Sequence, residues 1–167
     1  GGSVSRPASF CGTVGYKASF GAHDLTGVKE VSKNLDTYGF FGRTVADVAL
    51  FASALLGKTA PDLDIGPPRI GLCRTPWWDE ADASSQKALE EAGKAARKAG
   101  AAVKEVDLPD GFGSLEEVQR TIQNYQAGRA LAPEYNDHFD GLSTWLQESI
   151  PNWAAWEESV LANARKR

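Results

Sequence analysis

Gly1-Gly2-Ser3-Val4-Ser5-Arg6-Pro7-Ala8-Ser9-Phe10-Cys11-Gly12-Thr13-Val14-Gly15-Tyr16-Lys17 opens the chain and carries its richest pattern. Paired glycines before a serine have a physical use. Without Cβ atoms the backbone turns tightly and aims successive N–H groups into one small space. Convergent N–H groups stabilise an oxyanion, and a serine beside them is placed to attack a carbonyl. Three residues alone fit a plain Gly-Ser loop or a tag remnant better, so the longer run has to decide. Just beyond, Val14, Tyr16 and Ala18 alternate with Gly15 and Lys17, the period of a short strand.

Working outward, residues 20–42 are rich in Gly, Thr, Ser and Asn and read as a loop. Thr44 and Asp47 then form a Thr-x-x-Asp capping pattern. Behind it Val45, Val48, Ala49, Ala52, Leu55 and Leu56 recur at helical spacing until Gly57, which predicts a helix of about three turns. Pro61, Pro67 and Pro68 mark residues 59–68 as a connector. Arg69 to Cys73 reads as a buried strand, residues 83–99 as an Ala-rich helix closed by Gly100, and Ala102 to Val106 as the next strand. Strand, helix and strand with short joints make a βαβ unit. Ser114 and Glu117 form a second capping box, ahead of a helix carrying Leu115, Val118, Ile122 and Tyr125 and bounded by Pro133. Two shorter helices follow. One carries Leu142, Trp145 and Leu146 and is expected to stop before Pro151. The other carries Trp153, Trp156, Val160 and Leu161. The tryptophans are expected in packing, with an acyl-pocket lining by Trp145 or Trp153 as the functional alternative.

Composition bounds the answer. The chain has 167 residues, 42% apolar and 24% charged, which suits one ordinary domain or a large piece of one. Disorder, collagen and a disulfide-stapled miniprotein are excluded. No run approaches the roughly 18 apolar residues of a membrane span. Lys and Arg number 18 against 22 Asp and Glu, a net charge of −4. That balance makes no electrostatic case for direct binding of nucleic acid or an anionic membrane. The only cysteines, Cys11 and Cys73, are far apart and read as small buried hydrophobes, so the expected compartment is the reducing cytoplasm. With two histidines, His23 and His138, a zinc cage would need every Cys and His at once, and no metal is expected. The sequence contains no methionine and starts at Gly1, which points to a fragment or a processed chain.

The opening run resembles the nucleophile segment of the amidase signature family. Typical members read Gly-Ser-Ile/Val-x-Arg-Pro-Ala-x-Phe-Cys-Gly-Val-Val-Gly-Phe-Lys-Pro, and this chain differs mildly at Thr13, Tyr16 and Ala18. A second block, Leu35-Asp36-Thr37-Tyr38-Gly39-Phe40-Phe41-Gly42-Arg43-Thr44-Val45-Ala46-Asp47, is similar to the family pattern Asp-Thr-x-Gly-x-x-Ala-Arg-Ser/Thr-Val-x-Asp, with Gly42 at the Ala position. The likeness is strong over residues 1–57, weaker to Leu108 and diffuse beyond.

The resemblance implies an α/β amidase-signature fold, a mixed β-sheet surrounded by helices, of which residues 1–167 form a partial domain. Residues 1–57 supply the nucleophile segment and signature core, and 58–167 the βαβ unit and a variable helical region. It implies carboxamide hydrolysis through a Ser–cis-Ser–Lys triad without metal or organic cofactor. Ser3 matches the nucleophile that becomes acylated. Gly1 and Gly2 match the positions whose backbone N–H groups face the oxyanion. The bridging cis-serine and the basic lysine precede the nucleophile in the family and have no counterpart in these residues, so the isolated chain is expected to be inactive or nearly so. Lys17 matches a structural position of the family rather than the base. The implied partners are a small-molecule amide substrate and either a second copy or the rest of an amidase. Two rivals stand beside this reading: a non-catalytic binding or assembly module with an amidase-like core, and the amidotransferase subunit that serves transfer RNA.

Other constellations are thinner. His23 and Asp24 with Ser3 would compose a Ser-His-Asp set, but adjacent side chains on extended backbone point apart. Gly12 to Ser19 has too few residues between its glycines for a phosphate-binding loop. Cys11 lacks a basic neighbour that would make it a thiol nucleophile. Arg6 either pairs with a carboxylate to anchor the opening loop or stays solvated.

Overall fold

The computed structural model describes residues 2–57 and 66–166. The chain divides into two compact units, one of Gly1–Pro61 with Glu116–Arg167 and one of Asp62–Leu115.

In the first unit a short helix α1 (Ser5–Cys11) leads into strand β1 (Val14–Lys17). Gly12 ends α1 in the left-handed region, φ 61°, and its N–H reaches back to the Ala8 and Ser9 carbonyls, as helix ends require. β1 pairs antiparallel with β2 (Gly39–Gly42), Tyr16 opposite Phe40 and Lys17 opposite Gly39. β2 corrects the expectation of an unbroken loop over residues 20–42. Two of its four residues are glycines, so it has no strand-like composition, and pairing with β1 creates it. Phe40 is buried there, stacked on Tyr16 at 5.8 Å and edge-on to Phe51 at 5.1 Å.

Helix α2 (Val45–Leu56) starts where Thr44 and Asp47 predict. Both arms of the capping box form: Asp47 N–H donates to Thr44 Oγ1 at 3.1 Å, and Thr44 N–H donates to Asp47 Oδ2 at 2.9 Å. Gly57 closes the helix at φ 60°.

The second unit is the expected crossover. β3 (Arg69–Cys73) runs parallel to β4 (Ala102–Val106), joined by α3 (Ala83–Lys98). Asp82 caps α3 by accepting from Ser85 N–H at 2.7 Å, and Gly100 follows the helix at φ 92°. α3 lies close on β3: a Cβ at Gly93 would stand 2.6 Å from Leu72 Cδ1. The strand expected to be buried is only half covered, because a single helix packs on this two-stranded sheet. The 59–68 connector lies largely outside the described residues. Pro67 and Pro68 lead directly into β3.

The remaining helices are α4 (Leu115–Ala130), α5 (Ala132–Asp137), α6 (Thr144–Ala154) and α7 (Glu158–Ala164). At the head of α4 the Ser114 hydroxyl donates to the Gly111 carbonyl at 2.9 Å. α4 and α6 meet closely at Gly128, where a Cβ would stand 2.6 Å from the Ala154 nitrogen. Arg129 adds a hydrogen bond to the Trp156 carbonyl at 2.7 Å. Pro151 does not stop α6, contrary to expectation, and Trp153 belongs to α6 rather than to the last helix. The proline forgoes one backbone bond, to the Gln147 carbonyl. Burial of Ile150 and the Trp145–Trp153 contact, 5.3 Å between rings, hold the helix on both sides of it.

Both cysteines depart from expectation. Cys11 is exposed and Cys73 is half-buried. Cys11 is the last residue of a short helix whose one buried side chain is Ala8. Among the described residues no helix is long and apolar enough to cross a membrane.

Candidate active site

The turn that carries Ser3 is built by backbone bonds on either side. Gly2 has φ 82°, which favours glycine. Arg6 N–H donates to the Gly2 carbonyl at 2.9 Å, and Ala8 N–H to the Val4 carbonyl at 3.1 Å. Pro7 falls in the first turn of α1, where a missing N–H is tolerated, and so it offers no donor to the Ser3 carbonyl. The Ser3 hydroxyl has no hydrogen-bond partner among the described residues. Gly1, the other expected oxyanion position, lies outside the described residues.

Two strand glycines let the hairpin press against this turn. A Cβ at Gly39 would run into Val4 Cγ2, and one at Gly15 would stand 2.7 Å from Ala8 Cβ and 3.2 Å from the Val4 oxygen. Gly15 lies on β1 and Gly39 on β2, so any larger residue at either would push the strands off the Ser3 turn. The glycines of the two sequence blocks, distant along the chain, thus fit one piece of packing.

Ser3 opens onto a cavity of about 460 Å³, with Gly2, Lys17, Lys29, Asp36 and Tyr38 among its other walls. Lys17 shares the cavity with Ser3 yet does not bond to it. Its ammonium donates to the Ala18 carbonyl, and Ala18 is fully buried. Another part of the wall comes from residues between Leu25 and Tyr38. Asp36 Oδ2 accepts from Val31 N–H at 2.7 Å and Ser32 N–H at 2.9 Å, which folds residues 31–36 into a closed turn. Lys29 pairs with Glu134 at 2.8 Å and donates to the Ala130 carbonyl at 2.8 Å. That hydrogen bond from Lys29 holds the Glu134 carboxyl below its ordinary value.

The other constellations do not assemble. His23 packs edge-on against Tyr38 and Phe40, both at 5.6 Å, and Asp24 accepts from the N–H and hydroxyl of Thr26. Gly12 caps α1 and Val14–Lys17 form β1, so no phosphate-binding loop forms there. Arg6 is exposed with no carboxylate partner among the described residues, which leaves its solvated reading. Trp145 and Trp153 pack on each other, and neither lines the cavity at Ser3. Sequence reasoning missed the 25–38 wall, because a polar loop gives no periodic signal.

Fold and site define an α/β protein whose serine-bearing turn is wedged against a glycine-notched hairpin at the wall of a cavity. The family model for Amidase matches residues 1–155, and the chain belongs to that family. A glutamyl-tRNA(Gln) amidotransferase subunit from Clostridium botulinum (strain Langeland / NCTC 10281 / Type F) is 38% identical over 125 residues, which are 65% of this chain and 26% of that protein. 2-Amino-5-chloromuconic acid deaminase of Comamonas testosteroni is 32% identical over 165 residues, 95% of this chain and 35% of that protein. A crystal structure of an amidase superposes with a TM-score of 0.85 at 26% identity, covering 99% of this chain and 38% of that one. This chain therefore spans about a quarter to a third of the curated relatives it matches.

Proposed function

We propose that this chain carries the nucleophile segment of an enzyme that cleaves carboxamide C–N bonds through an acyl-serine. Ser3 Oγ attacks the amide carbonyl carbon and forms a C–O bond. Its proton passes through the family's bridging serine to the lysine, both lying outside these 167 residues. Backbone N–H groups of Gly1 and Gly2 carry the negative oxygen of the tetrahedral intermediate. Collapse breaks the C–N bond, and the amine leaves with the proton held by the lysine. Water then attacks the ester, releases the acid and returns the proton to Ser3. The substrate is a small-molecule amide, and the remaining parts of the domain are the first partner.

The observation that carries this reading is Ser3 itself: an uncommitted hydroxyl on a left-handed glycine turn, facing a cavity of substrate size. The test is Ser3→Ala in the complete protein that bears this chain. Hydrolysis of simple amides should fall about a thousandfold or more, with folding intact, because an enzyme stripped of its nucleophile keeps only positioning and oxyanion contributions. Wild-type rates in the variant would favour the non-catalytic module.

Identity of 38% with a protein named as part of an amidotransferase favours a second reading, in which the same acyl-serine chemistry serves transfer RNA. Hydrolysis of small amides without any transfer RNA would separate the two.

A further inference from the structure

Residues 31–36, of which Leu35 and Asp36 line the cavity, are fastened to the distant helix α4 by one side chain. Gln126 Oε1 accepts from the Ser32 hydroxyl at 2.7 Å and from Asn34 N–H at 3.2 Å. Its amide nitrogen donates back to Asn34 Oδ1, which also accepts from Arg165 after α7. Ser32 is 1% exposed. A buried hydroxyl that loses its acceptor carries an unpaired polar group, so this contact has directional force. The same turn places Leu35 and Asp36 in the cavity, through the two N–H bonds to Asp36.

We propose that Gln126 is a positioning residue for substrate binding: it fixes the 31–36 turn, and through it the wall that Leu35 and Asp36 give to the cavity of Ser3. The inference rests on Ser3 being the nucleophile of that cavity. Gln126 lies 92 residues and more from the groups it holds and touches neither Ser3 nor the cavity. It acts on the wall formed by Leu35 and Asp36 and not on the reacting hydroxyl. Its loss should therefore raise KM and leave kcat nearly unchanged, because uniform binding is lost and the chemistry at Ser3 is not.

The test uses the complete protein with Gln126→Leu, Gln126→Glu and Ser32→Ala, read by steady-state kinetics on a small amide and by amide hydrogen exchange. Gln126→Leu should raise KM about tenfold with kcat within about twofold. Exchange at Val31 and Ser32 should accelerate. Gln126→Glu, which keeps the acceptor for Ser32 and Asn34, should restore most of both. Ser32→Ala should show part of the KM effect, and adding it to Gln126→Leu should change little more, as coupled partners require. If Gln126→Leu does not fold, Ser32→Ala and Gln126→Glu decide by the same readouts. Unchanged exchange in residues 31–36 overturns the proposal. So does altered exchange with unchanged KM in an enzyme whose wild type is active. A wild type without amidase activity overturns the reading of Ser3 instead, and exchange alone then decides whether Gln126 holds the wall.

Discussion

At the residue scale the site depends on absent atoms as much as on present ones. Val4, next to Ser3, occupies the space that a side chain at Gly39 would need. Gly39→Ala should therefore destabilise the protein by about 1–3 kcal/mol, the usual cost of overpacking with a stiff β-branched neighbour. Urea unfolding measures this, and an unchanged midpoint would mean that Val4 yields freely. The need for glycine here was visible in the sequence only as a pattern, since nothing in a single chain says which side chain fills a missing Cβ. Ser3, by contrast, is singled out as a candidate by the run around it. The support of the 25–38 wall was not legible: Gln126 lies 94 residues from Ser32 and 92 from Asn34, and only the folded structure brings them together. Cys11 was misplaced for a related reason, because its apolar character says nothing about whether a neighbour covers it.

At the element scale local chemistry decides the helices that the sequence made readable. α2 starts at its capping box, and α3 runs from Asp82 to the glycine stop. The Thr44 side chain, then the Thr44 N–H, hold the Asp47 carboxyl below its ordinary value. A carboxyl depressed in the folded state adds stability above its ordinary pKa and loses it as pH falls through the depressed folded value. Acid should thus weaken α2, with the wild type losing its advantage over Asp47→Asn as pH drops from about 6 toward about 2. Thermal unfolding across that range measures the difference, and a pH-independent gap would contradict it. α1, α5, β2 and the end of α6 were not readable. Pro151 is a breaker by local rules and two glycines make a poor strand, yet burial of Ile150 and pairing with β1 override both. The spacing in α2 correctly grouped Val45, Val48 and Leu55 on one helix, but only Val48 is buried. Periodicity tells which residues share a face and not what lies against it.

At the scale of the whole molecule the open apolar surface and the length comparison point the same way. Phe10 is 88% exposed and Leu50 67%, and Phe20, Phe41, Phe51 and Leu55 are each more than half exposed. The relatives extend over about three to four times the matched length. Surfaces of this kind favour association. The isolated 167-residue polypeptide should sediment as oligomers and bind a hydrophobic dye, and a clean monomer without dye binding would contradict this. Catalysis belongs to the same scale, since a serine hydroxyl stays a weak nucleophile until a neighbouring base accepts its proton. The most direct measurement treats the complete folded protein with a fluorophosphonate and maps the adduct by mass spectrometry. The label should fall on Ser3 and vanish in Ser3→Ala. A folded protein that leaves Ser3 unmodified would remove the acyl-serine and, with it, the amidase chemistry.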